Sequence, residues 1–265
     1  MAKEQTVTEV SIPLAAFRTL SCNERNALLA FAHASNEVGA LLRVVMIAQN
    51  QPSVAPIYDL YATTQALTFQ KVLAGKLYEC WNLIAARYFS TGLGRVYDAK
   101  LHSSGQRGLA QLKRYFGRST NIIAMIRNDA AFHYSRQDVS GDLDELAEED
   151  CRVYLADKVT SALYLVGEKA LYRHLLRQID PDPNQAVQIM SRDLSVVGRN
   201  MGSFFVSVLL VLILAATERF ETKGRMRRCR MRKAIEPRRI RPPIFLDTSA
   251  DDAMGLDELL ARANG

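Results

Sequence analysis

Apolar residues recur at three- and four-residue steps along most of the chain, the spacing of one face of an α-helix. Leu28, Phe31, Val38, Leu42 and Val45 follow it and predict a helix from about residue 21 to 48. Ser21 and Glu24 mark its start as a capping box: the serine accepts from the backbone three residues on, and the glutamate reaches back. QNQPSVAP (49–56) breaks the pattern with two prolines. A second long helix is predicted over about 59–90, where Phe69, Leu73, Leu77, Trp81, Ile84 and Tyr88 form a core stripe and Lys71, Lys76, Glu79 and Arg87 lie opposite. GLG at 92–94 ends it. A third helical region covers about 104–135, with Gly117 and Ser119 marking an interruption and a fresh N-cap.

SGDLDELAEED (140–150) reads as an acidic loop leading into a fourth helix over about 146–179, whose N-terminus suits carboxylates. PDPN (181–184) separates a fifth helix, about 185–221. No strand-type alternation of useful length lies between 21 and 221. The expected fold class is all-α, a bundle of four to five long helices. Residues 1–20 form an irregular lead-in with one strand-like piece (TVTEVSI). Residues 21–221 form the bundle, and 222–265 an extended basic C-terminal tail closing in a short helix. Pro242 and Pro243 forbid helix across that join.

GSFFVSVLLVLILAAT (202–217) has two readings. The uncharged run from 201 to 217 is about 17 residues, the lower edge of a membrane span, and a basic run follows it as the positive-inside pattern requires. A helix apolar all round is also what the centre of a bundle looks like. The buried helix is the favoured expectation. The alternative is a single-span membrane protein with the basic tail inside.

Composition agrees with long helices: 48% apolar and 23% charged residues, with only 14 glycines and 8 prolines. The four cysteines (Cys22, Cys80, Cys151, Cys229) are widely spaced and form no CxxC pair, so neither a disulfide framework nor a zinc site is expected. No metal or other cofactor is expected. MAKEQTVTEVSIPLAAF has no basic start followed by an apolar core, so it does not read as a secretory signal. A cytoplasmic setting is expected.

The net charge of +6 is unevenly placed. Residues 223–241 hold ten Lys or Arg and one Glu, a net of +9, which leaves the remainder at −3. The positive field belongs to one segment, where Arg225, Arg227, Arg228 and Arg230 are candidate nucleic-acid contacts.

IRNDAAFHYS (126–135) concentrates chemistry. On an ideal helix, Ile122, Ile126, Ala130 and His133 fall within about 80° of one another on the apolar face, and Arg127 lies about 120° from His133. A histidine there can simply bond a late backbone carbonyl, with Arg127 paired to Asp129 or to an acid of the next helix. Alternatively, imidazole supplies a proton acceptor and donor near neutral pH, and guanidinium a fixed cation for charge growing on phosphorus. Groups 120° apart on one helix do not grip one phosphate. Two copies about a two-fold axis can line one cleft.

IRNDAAFHY resembles the signature of the HEPN superfamily, in which an Arg, often followed by Asn, precedes a His on the third helix of an all-α bundle. Arg127, Asn128 and His133 match that pattern, and LAGKLYECWNLI (73–84) resembles bacterial members of the group. The resemblance covers about residues 24–180. It implies a metal-independent endoribonuclease acting as a homodimer on RNA, often a toxin with an antitoxin partner or an abortive-infection effector. His133 would then be the acid or base, Arg127 the phosphate contact and Asn128 an orienter. Some members of the superfamily are non-catalytic interaction modules.

Tyr134 and Arg136 are candidate substrate-binding residues beside that motif. Lys76 and Glu79 read as a surface ion pair at i,i+3. SGQRG (104–108) lacks the spacing of a phosphate-cradling loop. His33, His102 and His174 show no nearby partners in the sequence.

Overall fold

The computed structural model describes residues 4–49, 55–128, 140–155, 162–221, 225–232 and 240. The described residues form an all-α fold apart from two strand pairs. After α1 (Leu14–Arg18), the capping box closes as expected: the Ser21 N–H donates to Glu24 Oε2 (2.7 Å) and the Glu24 N–H to Ser21 Oγ (3.3 Å). It opens α2 (Cys22–Gln49). Helix α3 (Pro56–Ile84) places Pro56 where a missing N–H costs nothing. It runs on into a π-helical turn (Ala85–Phe89) and stops at Gly92, whose φ of 76° is left-handed and favours glycine.

Helix α4 (Leu93–Tyr97) and a 3-10 turn lead to α5 (Ser103–Phe116) and α6 (Ile122–Ile126). The break between α5 and α6 lies where Gly117 and Ser119 predict it. The cap, however, is Asn121, whose Oδ1 accepts from the Ala124 N–H at 2.8 Å. Next come α7 (Ser140–Leu143), a 3-10 turn (Glu148–Cys151), α8 (Leu165–Ile179) and α9 (Pro183–Arg219).

Two expectations need correction. The fourth long helix begins at Leu165, not near 146. Ahead of it β2 (Val153–Leu155) and β3 (Ala162–Tyr164) pair antiparallel, burying Leu163 and Leu165, so tertiary pairing overrides the local helical pattern. In addition, the basic segment is not simply a loose tail. Strand β4 (Arg225–Arg232) pairs antiparallel with β1 (Glu4–Ser11), from Glu4 opposite Arg232 to Ser11 opposite Arg225. All of TVTEVSI (6–12) but its last residue lies in that first strand and forms its C-terminal part, as its alternation suggests.

Helix α9 is the centre of the bundle and packs against α5, α2, α8, α3, α1 and α6. Met201, Phe204, Phe205, Val208, Leu212 and Ala216 are fully buried along it. Phe204 and Phe205 meet Phe31 of α2 at ring separations of 6.0 and 5.4 Å, and Tyr88 closes on Phe204 at 5.1 Å. Such aromatic contacts add to burial through ring geometry. The opposite side of α9 keeps Val206, Leu210 and Leu214 more than half exposed in a four-residue stripe. By length and composition alone, α2 and α9 are each apolar enough to cross a membrane, with mean hydropathies of 1.2 and 2.1 in their best windows.

Helix α5 meets α9 as closely as backbones allow. A Cβ at Gly105 would stand 2.3 Å from Ser207 Cβ, and one at Gly108 2.7 Å from the Asn200 carbonyl oxygen. SGQRG is thus the first turns of a helix, its glycines present for close approach.

One polar network ties the first turn of α2 to the last residue of α9. The buried Glu24 carboxylate accepts from both Arg219 Nη atoms (2.7 and 2.8 Å) and from the Tyr97 hydroxyl. These donors hold its pKa well below the usual carboxylate range, the arginine contributing most. Burial, with the carboxylate beside it, pushes the Tyr97 hydroxyl up to about 12.

Candidate functional site

Arg127 and Asn128 sit where α6 ends. Ile123 and Ile126 are fully buried, which fixes the rotation of α6 against α3 and directs the next residue toward the surface. Residues 127–128 continue α6 as a π-helical turn, a rare geometry frequent at functional positions.

The Arg127 guanidinium donates through Nε (3.3 Å) and Nη2 (3.2 Å) to Glu79 Oε1, and through Nη1 to Asn128 Oδ1 (3.2 Å). It also lies over the Tyr78 ring, 5.4 Å from the centroid. Among the described residues its partner is an acid on the earlier helix α3; Asp129 lies outside them. Below this cation, Trp81 stacks on Phe116 at 5.0 Å and Tyr78 meets Phe116 edge-on. Arg127 is about one-third and Glu79 about one-half exposed. Water screens such a pair, whose worth is about 0.2–1 kcal/mol. An incoming phosphate could exchange for the Glu79 carboxylate at modest cost.

His133, Tyr134 and Arg136 lie outside the described residues. The structure thus brings Arg127 and Asn128 together and gives no position for the imidazole.

Several ion pairs form between helices rather than along them. Lys76 turns from Glu79 and pairs with Glu37 of α2 at 2.9 Å, and His33 Nε2 approaches the same carboxylate at 3.4 Å. The i,i+3 pairing expected of Lys76 and Glu79 loses because a facing helix offers each a partner: Glu37 for Lys76, Arg127 for Glu79. His33 and Glu37 stand at i,i+4, a spacing the sequence did hold. His102 caps α5, its Nδ1 accepting from the Ser104 N–H at 3.3 Å. His174 Nδ1 lies 3.1 Å from buried Asp142, which Arg177 also contacts, while Glu145 receives Arg173 and Arg177 at 2.8 Å each. That cluster joins α7 to α8 and was missed because about thirty residues separate its members. The acid-rich 140–150 and the basic spacing of Arg173, His174 and Arg177 were the available signals.

The four candidate arginines of the basic segment divide between the faces of the β1–β4 ribbon. Arg228 and Arg230 lie opposite Thr8 and Thr6 on one face, and Arg225 and Arg227 opposite Ser11 and Glu9 on the other. Same-face neighbours on a strand are about 6.6 Å apart, so Arg228 and Arg230 stand side by side on one face, whereas on the other Arg225 and Arg227 are followed by Cys229 and have Glu9 opposite Arg227.

Among the described residues, no group of three or more His, Cys, Asp or Glu is placed to hold a metal ion. Comparison with protein-family models, with curated proteins and with solved structures finds no match.

Proposed function

We propose that this chain is a metal-independent endoribonuclease of HEPN type, acting in the cytoplasm as a homodimer, in the role of a toxin or phage-defence effector. The observation that carries this reading is the Arg127–Asn128 pair, raised at the π-helical end of α6 on an all-α bundle and held by a half-exposed carboxylate that a phosphate can replace. Arg127 then stabilises the charge that builds on phosphorus during cleavage, Asn128 orients it, and His133 exchanges the proton of the attacking or leaving oxygen. If residues 127–133 continued as an α-helix, Arg127 and His133 would lie about 120° apart, and two copies would complete one cleft. Tyr134 and Arg136 would steady the strand beside it, and the ribbon arginines would hold RNA further from the chemistry.

The test is RNA cleavage by the purified chain in EDTA, wild type beside Arg127→Ala and His133→Ala, with helicity and dimer mass checked for each. Cleavage lost in both variants, with fold and mass intact, supports the assignment. Inactive wild type, and variants that only melt earlier, refute it.

A second reading has its own support. Glu79 already neutralises Arg127, as in a helix end whose role is structural, and the chain would then be a non-catalytic helical interaction module. The exposed stripe of Val206, Leu210 and Leu214 also supports a membrane-tethered form. Recovery entirely in the soluble fraction after membrane fractionation removes that form.

A further inference from the structure

The β1–β4 ribbon consists of two strands only, eight residues each. Among the described residues, no helix packs a face against either strand. Thr6 to Ser11 and Arg225 to Arg228 are exposed, Val10 and Met226 by 52% and 75%, so both faces of the ribbon stand in water. An isolated two-stranded ribbon is marginally stable in water. This one is held at its root, where α1 follows β1 and packs on α9, which precedes β4. Eight residues span about 26 Å, and paired strands lie about 4.8 Å apart. The ribbon is therefore a narrow arm with two open faces.

Those faces differ in charge. Glu9 lies on the face of Arg225 and Arg227, opposite Arg227, and accepts from Ser11 Oγ at 3.4 Å and Cys229 Sγ at 3.7 Å. On the other face Arg228 and Arg230 stand opposite Thr8 and Thr6, and both arginines are exposed. The acid in register with that face, Glu4, sits at the far end, opposite Arg232. Its apolar residues, Val10 and Met226, form a single cross-strand pair near the root, too few for a lipid-facing surface.

A face of guanidinium forks between threonines suits base edges as well as phosphates. The major groove of B-form DNA is about 12 Å wide and 8.5 Å deep and admits a two-stranded ribbon. Guanine O6 and N7 accept from one arginine fork there, and threonine meets base edges with its hydroxyl or its methyl group. The A-form major groove of duplex RNA is too deep and narrow for side chains to read. We propose that the ribbon is a duplex-DNA-binding arm, whose Thr6–Thr8–Arg228–Arg230 face enters the major groove. This inference goes beyond the ribonuclease reading, in which the same arginines hold RNA, and needs nothing from Arg127.

At about 3.4 Å per base pair the arm covers about eight pairs, so the probe is a fluorescein-labelled, guanine-rich DNA duplex of about 20 base pairs. Binding to the full chain is read by anisotropy in EDTA at fixed low salt. Beside it run a 2′-O-methyl RNA duplex of the same sequence, which is A-form and resists cleavage, and its single strand. The DNA duplex should bind most tightly. Arg228→Gln/Arg230→Gln should weaken it about tenfold or more. Arg225→Gln/Arg227→Gln should weaken it less, with helicity unchanged in both variants. Replacing guanine by 7-deazaguanine keeps base pairing and removes the N7 acceptor. That duplex should bind wild type about fivefold or more weakly and leave Arg228→Gln/Arg230→Gln unaffected. Equal or tighter binding of either RNA form, equal losses in the two double variants, or indifference to 7-deazaguanine would overturn the assignment. So would a chain that binds no duplex and instead self-associates through the ribbon. DNA binding by a chain that cleaves no RNA would sustain this inference and refute the ribonuclease; RNA cleavage without duplex binding would do the reverse.

Discussion

Replacing Gly105 by alanine sets two known effects against each other. Within a helix, alanine is favoured over glycine by about 1 kcal/mol. Here the added Cβ meets Ser207 Cβ at 2.3 Å, where ordinary contact starts near 3.4 Å. Both atoms are bonded directly to helix backbone, so neither can swing aside. Helix α5 must back away from α9 by about 1 Å. A gap of that size forfeits a quarter to a half of each dispersion contact it opens. Leu109 and Leu112 are buried on α5, and each such side chain contributes about 1.5–3 kcal/mol on burial. The bond from the His102 N–H to Ser207 Oγ (2.7 Å) is disturbed as well. The loss comes to about 2–4 kcal/mol, and after the propensity gain the net destabilisation is about 1–3 kcal/mol. For a chain of this size that lowers Tm by roughly 2–12 °C. Thermal and urea unfolding followed by circular dichroism at 222 nm read it directly. Gly202→Ala in α9 is the internal control, since nothing lies within 4 Å of the added Cβ, and it should gain up to about 1 kcal/mol. A Gly105→Ala variant as stable as wild type would refute the close α5–α9 contact.

Glu24→Gln should cost about 1–3 kcal/mol at pH 7, because Arg219 and Tyr97 lose the charge they share, while the part-exposed Arg219 keeps contact with water. The folded-state pKa of Glu24 lies below its ordinary value of 4.5. Its stabilisation is therefore present above that pH and fades as the pH falls beneath it, so the gap between variant and wild type in acid urea titrations should close below about pH 4.5; a constant gap contradicts the network. Cys80 is buried and its thiol pushed up to about 12 by desolvation, whereas Cys22 and Cys151 are exposed. A thiol reagent at pH 8 should label Cys22 and Cys151 quickly and Cys80 only after denaturation, and fast labelling of Cys80 would contradict the core assignment. If RNA contacts the ribbon face that carries Arg228 and Arg230, the double variant to Gln should reduce the slope of log affinity against log salt by about 1.4; an unchanged slope would remove these residues from the interface.

The long helices were legible in the sequence because each carries its own signal. The capping box of Ser21 and Glu24, the stripe from Phe69 to Tyr88 and the break at Gly92 all depend on residues within a few turns of one another, and the folded chain uses them as read. The Arg127–Asn128 pair was visible as a motif for the same reason. Long-range pairing was not legible, because periodicity carries no information about which element faces which. Glu79 could be seen as a surface acid, but that it holds Arg127, and that Lys76 turns to Glu37, follows from the apposition of α3 with α6 and α2. The basic run showed its charge in the sequence, yet its pairing with residues 4–11 joins segments more than two hundred positions apart. Local chemistry thus set the elements of this protein, while the burial of α9 at the centre of the bundle decided which polar side chains would meet.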